Sequence, residues 1–379
     1  MTKQCRPLIE ILAEIPDPRH CQGKRYALSS ILAQACAALL CGYRSYGAIA
    51  EWGRNYGQTL QRALGFRDGH CPCASTLHAV LRQLECDLLE TKLQAWAEGM
   101  LSAIPPPAGA DEALALDGKT LRGSQRQGAP GSHLLSVLSH RLGLTMFQQA
   151  VDDKTNEIPV ALEVLQGLFL EGRVVTVDAL LTQRAVARTV LARGGDYVML
   201  VKGNQPALAE DIRLVFEEGP WLTNTLSSAE TLDSGHGRQE RRRLTSSTAL
   251  RGYSDWPGLQ QVFRLERIVT CKKSGKHHQE IVYGVTSLSP AQADPARLLH
   301  LCRQHWHIEN KSHWVRDVTF DEDRSQVRSG SIPQVMAALC NAVIGLMRWS
   351  GETNIAAAGR RFAAQPRSAL ALVGINMEN

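Results

Sequence analysis

The residues Val174-Val175-Thr176-Val177-Asp178 decide the fold class, together with the run Thr182–Arg193, the pair Gly194-Gly195 and the stretch Tyr197-Val198-Met199-Leu200-Val201. Consecutive β-branched residues suit a buried, pleated surface, so 174–177 reads as a buried strand. The run 182–193 has helical character and ends at two glycines, which accept the left-handed backbone that closes a helix. The apolar run 197–201 reads as the next strand.

The same pattern extends in both directions. Upstream, Ala113–Leu116, His133–Ser139 and Leu144–Val151 read as strands and Pro159–Leu168 as a helix. Downstream, Asn204 caps a helix with Pro206 in its first turn. Three strands, a helix, a strand, a helix and a strand predict an α/β fold, a mixed sheet with flanking helices in the ribonuclease H-like order.

Farther out, Ile104-Pro105-Pro106-Pro107-Ala108-Gly109 reads as a linker, because three prolines cannot continue a helix. Before it the chain reads as helical, with Leu28–Leu40, Ser45–Trp52 and a helix capped by Ser75. From about Asp233 to Leu288 the pattern is polar and strand-rich, with Ser274-Gly275-Lys276 as a hairpin turn between Phe263–Thr270 and Glu280–Thr286. Asp294 then caps a helix that Pro295 starts and that is expected to run to about Arg316, and a last helix covers Ile332–Trp349. Four parts are expected. Residues 1–103 form a helical domain with a possible DNA-binding role, and 110–215 the first part of the core. Residues 216–290 form a strand-rich insertion, and 291–379 the second part of the core with C-terminal helices.

The chain has 379 residues, 44% hydrophobic and 21% charged, with a formal net charge of +5. That composition suits a globular protein with a sizeable core and permits a polyanionic partner. The apolar stretches near Ile31–Leu40 and Val335–Met347 are short for a membrane span, and the N-terminal residues Met1–Cys5 lack a secretory pattern. A cytoplasmic location with no membrane partner is the expectation. Ten irregularly spaced cysteines read as reduced thiols. Cys71 and Cys73, near His70 and His78, are closer in sequence than the usual zinc ligand pair.

Chemistry is sought among acids that emerge from buried strands. Cutting a phosphodiester requires charge neutralisation that divalent ions held by carboxylates supply. Asp117 follows Ala113–Leu116, and Asp178 follows Val174–Val177. Glu309 lies in His305-Trp306-His307-Ile308-Glu309-Asn310-Lys311-Ser312-His313-Trp314-Val315-Arg316. On an α-helix, His305, Glu309, His313 and Arg316 share one face, where the histidines are candidate metal ligands but are expected rather to contact DNA or orient the acid. Asp152 and Asp153 after a strand, and Asp317, Asp321, Glu322 and Asp323 after the Glu309 helix, are rivals that residue patterns alone leave open. Basic clusters accompany these acids: Lys119, Arg122 and Arg126; Lys202; Arg238, Arg241, Arg242 and Arg243; and Lys272, Lys273, Lys276, His277 and His278. They are expected to contact phosphate.

These segments resemble bacterial insertion-sequence transposases of the DDE class, in the group of the H-repeat-associated proteins found with Rhs elements. The resemblance rests on Asp17-Pro18-Arg19 through Glu51-Trp52, Leu116-Asp117-Gly118-Lys119-Thr120-Leu121-Arg122-Gly123-Ser124, Thr176–Gln183 and Tyr197–Pro206. It continues in His236-Gly237-Arg238 with Glu240-Arg241-Arg242, and in His305–Asn310 with His313-Trp314 and Asp317-Val318. It implies a ribonuclease H-like core and the catalytic, metal-holding triad Asp117, Asp178 and Glu309 with two Mg²⁺ (or Mn²⁺) ions. It also implies double-stranded DNA as partner, at transposon ends and target, and a homodimer on DNA. The expected activity is cleavage at transposon ends and joining of the 3′-hydroxyl to target DNA. The alternatives are a catalytically silent DNA-binding protein and a nuclease without strand transfer. Cys302 and His305 stand where related transposases carry Tyr and Arg, Arg316 where they carry Lys, and Ser312 where the close group carries Leu.

Overall fold

A computed structural model describes residues 5–21, 24–66, 70–107, 112–125, 130–152, 156–217, 226–235 and 237–377. Met1–Gln4, the linker end Ala108-Gly109, Arg126, Asp153 with Lys154 and Thr155, and His236 lie outside the described residues. The chain divides into two compact units. Met1–Ala108, Gly118–Thr155 and Ile308–Asn379 make the first, and Gly109–Asp117 with Asn156–His307 the second. This grouping differs from the four parts expected, and the division falls inside one strand.

The first unit begins with helices α1 (Leu8–Ala13), α2 (Leu28–Leu40), α3 (Tyr46–Asn55), α4 (Gly57–Ala63), α5 (Ala74–Gln83) and α6 (Cys86–Ala103). Helix α2 is almost wholly buried, which explains its Ala- and Leu-rich sequence: small and apolar residues let helices close on it from every side. Ser45 caps α3 by accepting from the Ala48 amide. Helix α5 starts two residues earlier than a Ser75 cap requires. Cys73 takes the cap position, and its Sγ lies 3.0 Å from the Ser75 hydroxyl.

Strands β1 (Glu112–Thr120), β2 (His133–Ser139) and β3 (Thr145–Val151) follow. Then come α7 (Glu157–Gly167), β4 (Arg173–Val177), α8 (Arg184–Ala192), β5 (Asp196–Val201) and α9 (Pro206–Glu217). Strands β6 (Leu226–Gly235), β7 (Arg238–Ser247), β8 (Gln261–Cys271) and β9 (His277–Thr286) precede α10 (Pro295–His305), α11 (Ile332–Trp349), α12 (Ile355–Ala364) and α13 (Pro366–Val373). Helix α9 begins at Pro206, so Gln205 rather than Asn204 precedes it.

Strand order is β3-β2-β1-β4-β5-β9-β8-β7-β6. Strands β2 and β3 pair antiparallel, whereas β4 pairs parallel with both β1 and β5. The order β3-β2-β1-β4-β5 with these directions is the ribonuclease H-like arrangement. The strand-rich segment continues this sheet, because β9 pairs antiparallel with β5. In the second unit, Ala113, Val174, Val198, Leu244, Phe263, Leu288, Leu298 and Cys302 share one buried core. Burial of that apolar surface contributes roughly 25 cal/mol per Å² and fixes which strand face carries polar groups.

Helix α11 is 18 residues long and apolar, longer than the 335–347 stretch suggested, and 83% of it is buried within the protein. Its Asn341 donates to Gln148 of β3 (2.7 Å), which donates to the buried Glu90 of α6 (2.6 Å). Burial pushes the Glu90 carboxyl up to about 8, so the group is held protonated at neutral pH.

Candidate active site

In the second unit, the parallel ladder of β1 and β4 ends with Leu116 opposite Val177. Asp117 and Asp178 are the next residues on each strand, so equal register delivers two carboxylates to the same end of neighbouring strands. Ligands bind at that end in open α/β sheets. Asp117 does not end its strand, however; β1 runs on to Thr120.

The turn after Asp178 is tied down. The Leu181 amide donates to Asp178 Oδ1 (3.1 Å). The Thr182 hydroxyl is 2.8 Å from the Asp178 carbonyl and 2.6 Å from that of Leu200 on β5. Asn204 donates to the carbonyls of Ala179 and Thr182, and Gln205 Nε2 donates to that of Thr182 (3.2 Å). Thr182, Asn204 and Gln205 thus hold the turn that carries Asp178, where the sequence read Asn204 only as a helix cap. Burial raises the Asp178 pKa; the Leu181 amide opposes the rise, the nearby Glu157 adds to it, and Lys202 lowers it slightly. An acid in that state gains from a cation brought beside it.

In the first unit, Glu309 lies in a π-helical segment, Ile308–His313, followed by another, Val315–Thr319. The expected single α-helix to Arg316 therefore stops at His305, and π geometry replaces it. Such widenings recur at functional sites. Glu309 is exposed, and its Oε2 lies 3.5 Å from Nδ1 of the buried His313. Burial pushes the His313 imidazole pKa down, opposed by Glu309.

Ion pairs hold this segment. Lys119 of β1 reaches Asp317 at 2.5 Å. Arg316, fully buried, makes a two-pronged pair with Glu322 at 3.0 Å. Gly123 lets the following turn approach, since a Cβ there would run into the backbone of Glu322 and Ser325. Asp321 faces Arg44 and Arg324, and Asp323 faces Arg122. The four rival acids after Glu309 thus each face a cation.

The cations expected to meet DNA divide in two. Arg122, Lys202, Arg238 and Arg243 are exposed, as are Lys272, Lys273, Lys276, His277 and His278. Arg241 is exposed beside Glu230, and Arg242 is half-buried between Asp233 and Glu240. Arg316, His313 and Lys119 are buried, with Glu322, Glu309 and Asp317 beside them. His305 Nδ1 lies 2.9 Å from the Thr176 hydroxyl on β4 in the second unit.

Residues 108–346 match the family model described as Transposase DDE domain, and residues 9–97 match the model described as DDE_Tnp_1-associated. An uncharacterized protein in the dhlA 3′ region of Xanthobacter autotrophicus is 35% identical over 268 residues, covering 69% of this chain and 87% of that protein. The H repeat-associated protein YhhI of Escherichia coli (strain K12) is 26% identical over 354 residues, 91% of each chain. A piggyBac transposase synaptic complex with hairpin DNA matches with a TM-score of 0.45 and 11% identity over 96% of this chain and 76% of that one. With the model covering most of its length and the strand order of its sheet in agreement, this chain belongs to the DDE transposase family, in the group of the H-repeat-associated proteins.

Proposed function

We propose that this protein is a DNA transposase that cuts transposon ends and joins the freed 3′-hydroxyl to target DNA, with Asp117, Asp178 and Glu309 as its catalytic acids. The observation that carries the reading is the shared register of β1 and β4, after which Asp117 and Asp178 follow paired residues. Glu309 joins them in this reading on the match of residues 108–346, which span all three acids, to the Transposase DDE domain.

The donor set fits hard divalent cations: three carboxylates, one of them half-buried with a raised pKa. Two Mg²⁺ or Mn²⁺ ions bound there supply charge neutralisation and in-line alignment for phosphoryl transfer. The chain's residues do the rest. The Leu181 amide and the Thr182 hydroxyl fix the Asp178 turn, so that carboxylate needs little reorganisation as charge develops. The Lys119–Asp317 and Arg316–Glu322 pairs hold the Glu309 segment. Exposed Arg122, Lys202 and Arg238 offer phosphate contacts, giving binding that weakens steeply with salt. A homodimer on paired ends and action in the cytoplasm belong to the same reading.

The test is cleavage of a duplex carrying the terminal inverted repeats that flank the gene, with Mg²⁺ or Mn²⁺. Nicking at the repeat boundary by the wild type, absent in Asp117→Asn, is the expected result. Wild-type nicking by Asp117→Asn removes Asp117 from the mechanism. Metal-independent binding without any nicking favours a silent DNA-binding protein.

A further inference from the structure

Glu309 and His313 stand four residues apart in the π-helical segment Ile308–His313, which keeps both on one face. Their side chains differ sharply in setting: Glu309 is 55% exposed, whereas His313 is 6% exposed. The 3.5 Å between Oε2 and Nδ1 is longer than the roughly 2.7–3.2 Å of a firm N–H···O bond. Both atoms are of types that bind divalent cations, and they lie within 4.8 Å of one another, so one ion can reach both with small side-chain adjustment. Lys119 and Arg316 oppose positive charge at the ring, and each is offset by its own carboxylate, Asp317 and Glu322.

We propose that His313 is a nitrogen ligand to the divalent cation held by Glu309, making that half of the site a mixed carboxylate and imidazole site that favours Mn²⁺ over Mg²⁺. This rests on the reading of Glu309 as a metal-holding acid. Imidazole suits transition metals, whereas carboxylate and water suit Mg²⁺, so one buried ring shifts the preference without changing the acids. The metal-holding face then includes a residue outside the Asp, Asp, Glu set.

The experiment loads the full chain with Mn²⁺ alone and reads nitrogen bound to the ion by electron spin-echo envelope modulation. The wild type shows ¹⁴N coupling, which changes to a ¹⁵N pattern when histidine is supplied as the ¹⁵N form. The coupling is lost in His313→Gln and kept in His305→Gln and His307→Gln. Mn²⁺ affinity falls about tenfold in His313→Gln. Mg²⁺ affinity, measured by competition, moves less than about threefold. Bound Mn²⁺ without ¹⁴N coupling overturns the proposal and leaves Glu309 in place. Absence of bound Mn²⁺, or binding unchanged in Glu309→Gln, overturns the proposal together with the reading of Glu309. If His313→Gln does not fold, His313→Asn decides: coupling lost there supports the proposal, and coupling kept overturns it.

Discussion

Asp117 and Asp178 are placed by a sheet, whereas Glu309 is placed by side-chain charges. The first two follow residues paired across a parallel ladder, so main-chain hydrogen bonds fix where the carboxylates emerge. Glu309 lies where the α-helix has given way to π geometry, in a segment held by Lys119–Asp317 and Arg316–Glu322. A ladder tolerates substitution of nearby side chains. A segment pinned by buried ion pairs does not, because removing one partner strands a charge. The two halves of the proposed centre should therefore fail in different ways.

The largest expected effect is on chemistry. Asp178→Asn and Glu309→Gln each lower end cleavage by about 10²–10³-fold or more. Asp178→Asn leaves thermal stability equal or higher, since it removes a carboxylate that burial disfavours. Gel cleavage assays with parallel melting curves check both, and a variant cutting at the wild-type rate would take that acid out of the centre.

The next effect is on stability. Glu322→Ala leaves Arg316 buried without its partner and costs about 3–5 kcal/mol in denaturant unfolding. Arg316→Met with Glu322→Leu recovers most of that loss. A single-variant cost below about 0.5 kcal/mol would show that the pair does not pin the segment.

Glu90 sharpens the contrast with a pH dependence. Its folded pKa of about 8 lies above the ordinary 4.5, so the folded chain binds this proton more tightly than the unfolded chain. The stability it contributes is complete below about 4.5 and is lost as pH rises through about 8. Glu90→Gln keeps the acceptor for Gln148 and removes the titration. The variant should gain on the wild type by up to a few kcal/mol between pH 5 and 9. Parallel urea melts at several pH values read the gap, and a constant gap would contradict the assignment.

The smallest effect concerns the outer strands. Arg238→Ala reduces the salt slope of DNA binding by about one and leaves unfolding unchanged, because Arg238 is exposed. Arg242→Ala also perturbs the strand, since Arg242 is engaged by Asp233 and Glu240. Equal salt slopes for Arg238→Ala and wild type would remove that contact.

Sequence legibility followed the same division. A β-branched run ending in Asp178 is a local signal, and it located β4 and its acid to within a residue. The extension of β1 through Gly118-Lys119-Thr120 was hidden, because those residues carry no apolar pattern. Around Glu309, a 3.6-residue period grouped His305, His313 and Arg316 on one face. Where α geometry stops and which acid meets which cation depend on tertiary contacts that periodicity does not register. The same limit applies to β6–β9: their strands were readable, but the long-range pairing of β9 with β5, which joins them to the core sheet, was not.

The most direct test of the central claim is strand transfer from a pre-cut transposon end into a target plasmid with Mg²⁺ or Mn²⁺, comparing wild type with Asp117→Asn at equal end binding. The account predicts joined product carrying the end's 3′ strand for the wild type and none for the variant. Joining by Asp117→Asn at the wild-type rate, or no joining by the wild type in either metal, would contradict it.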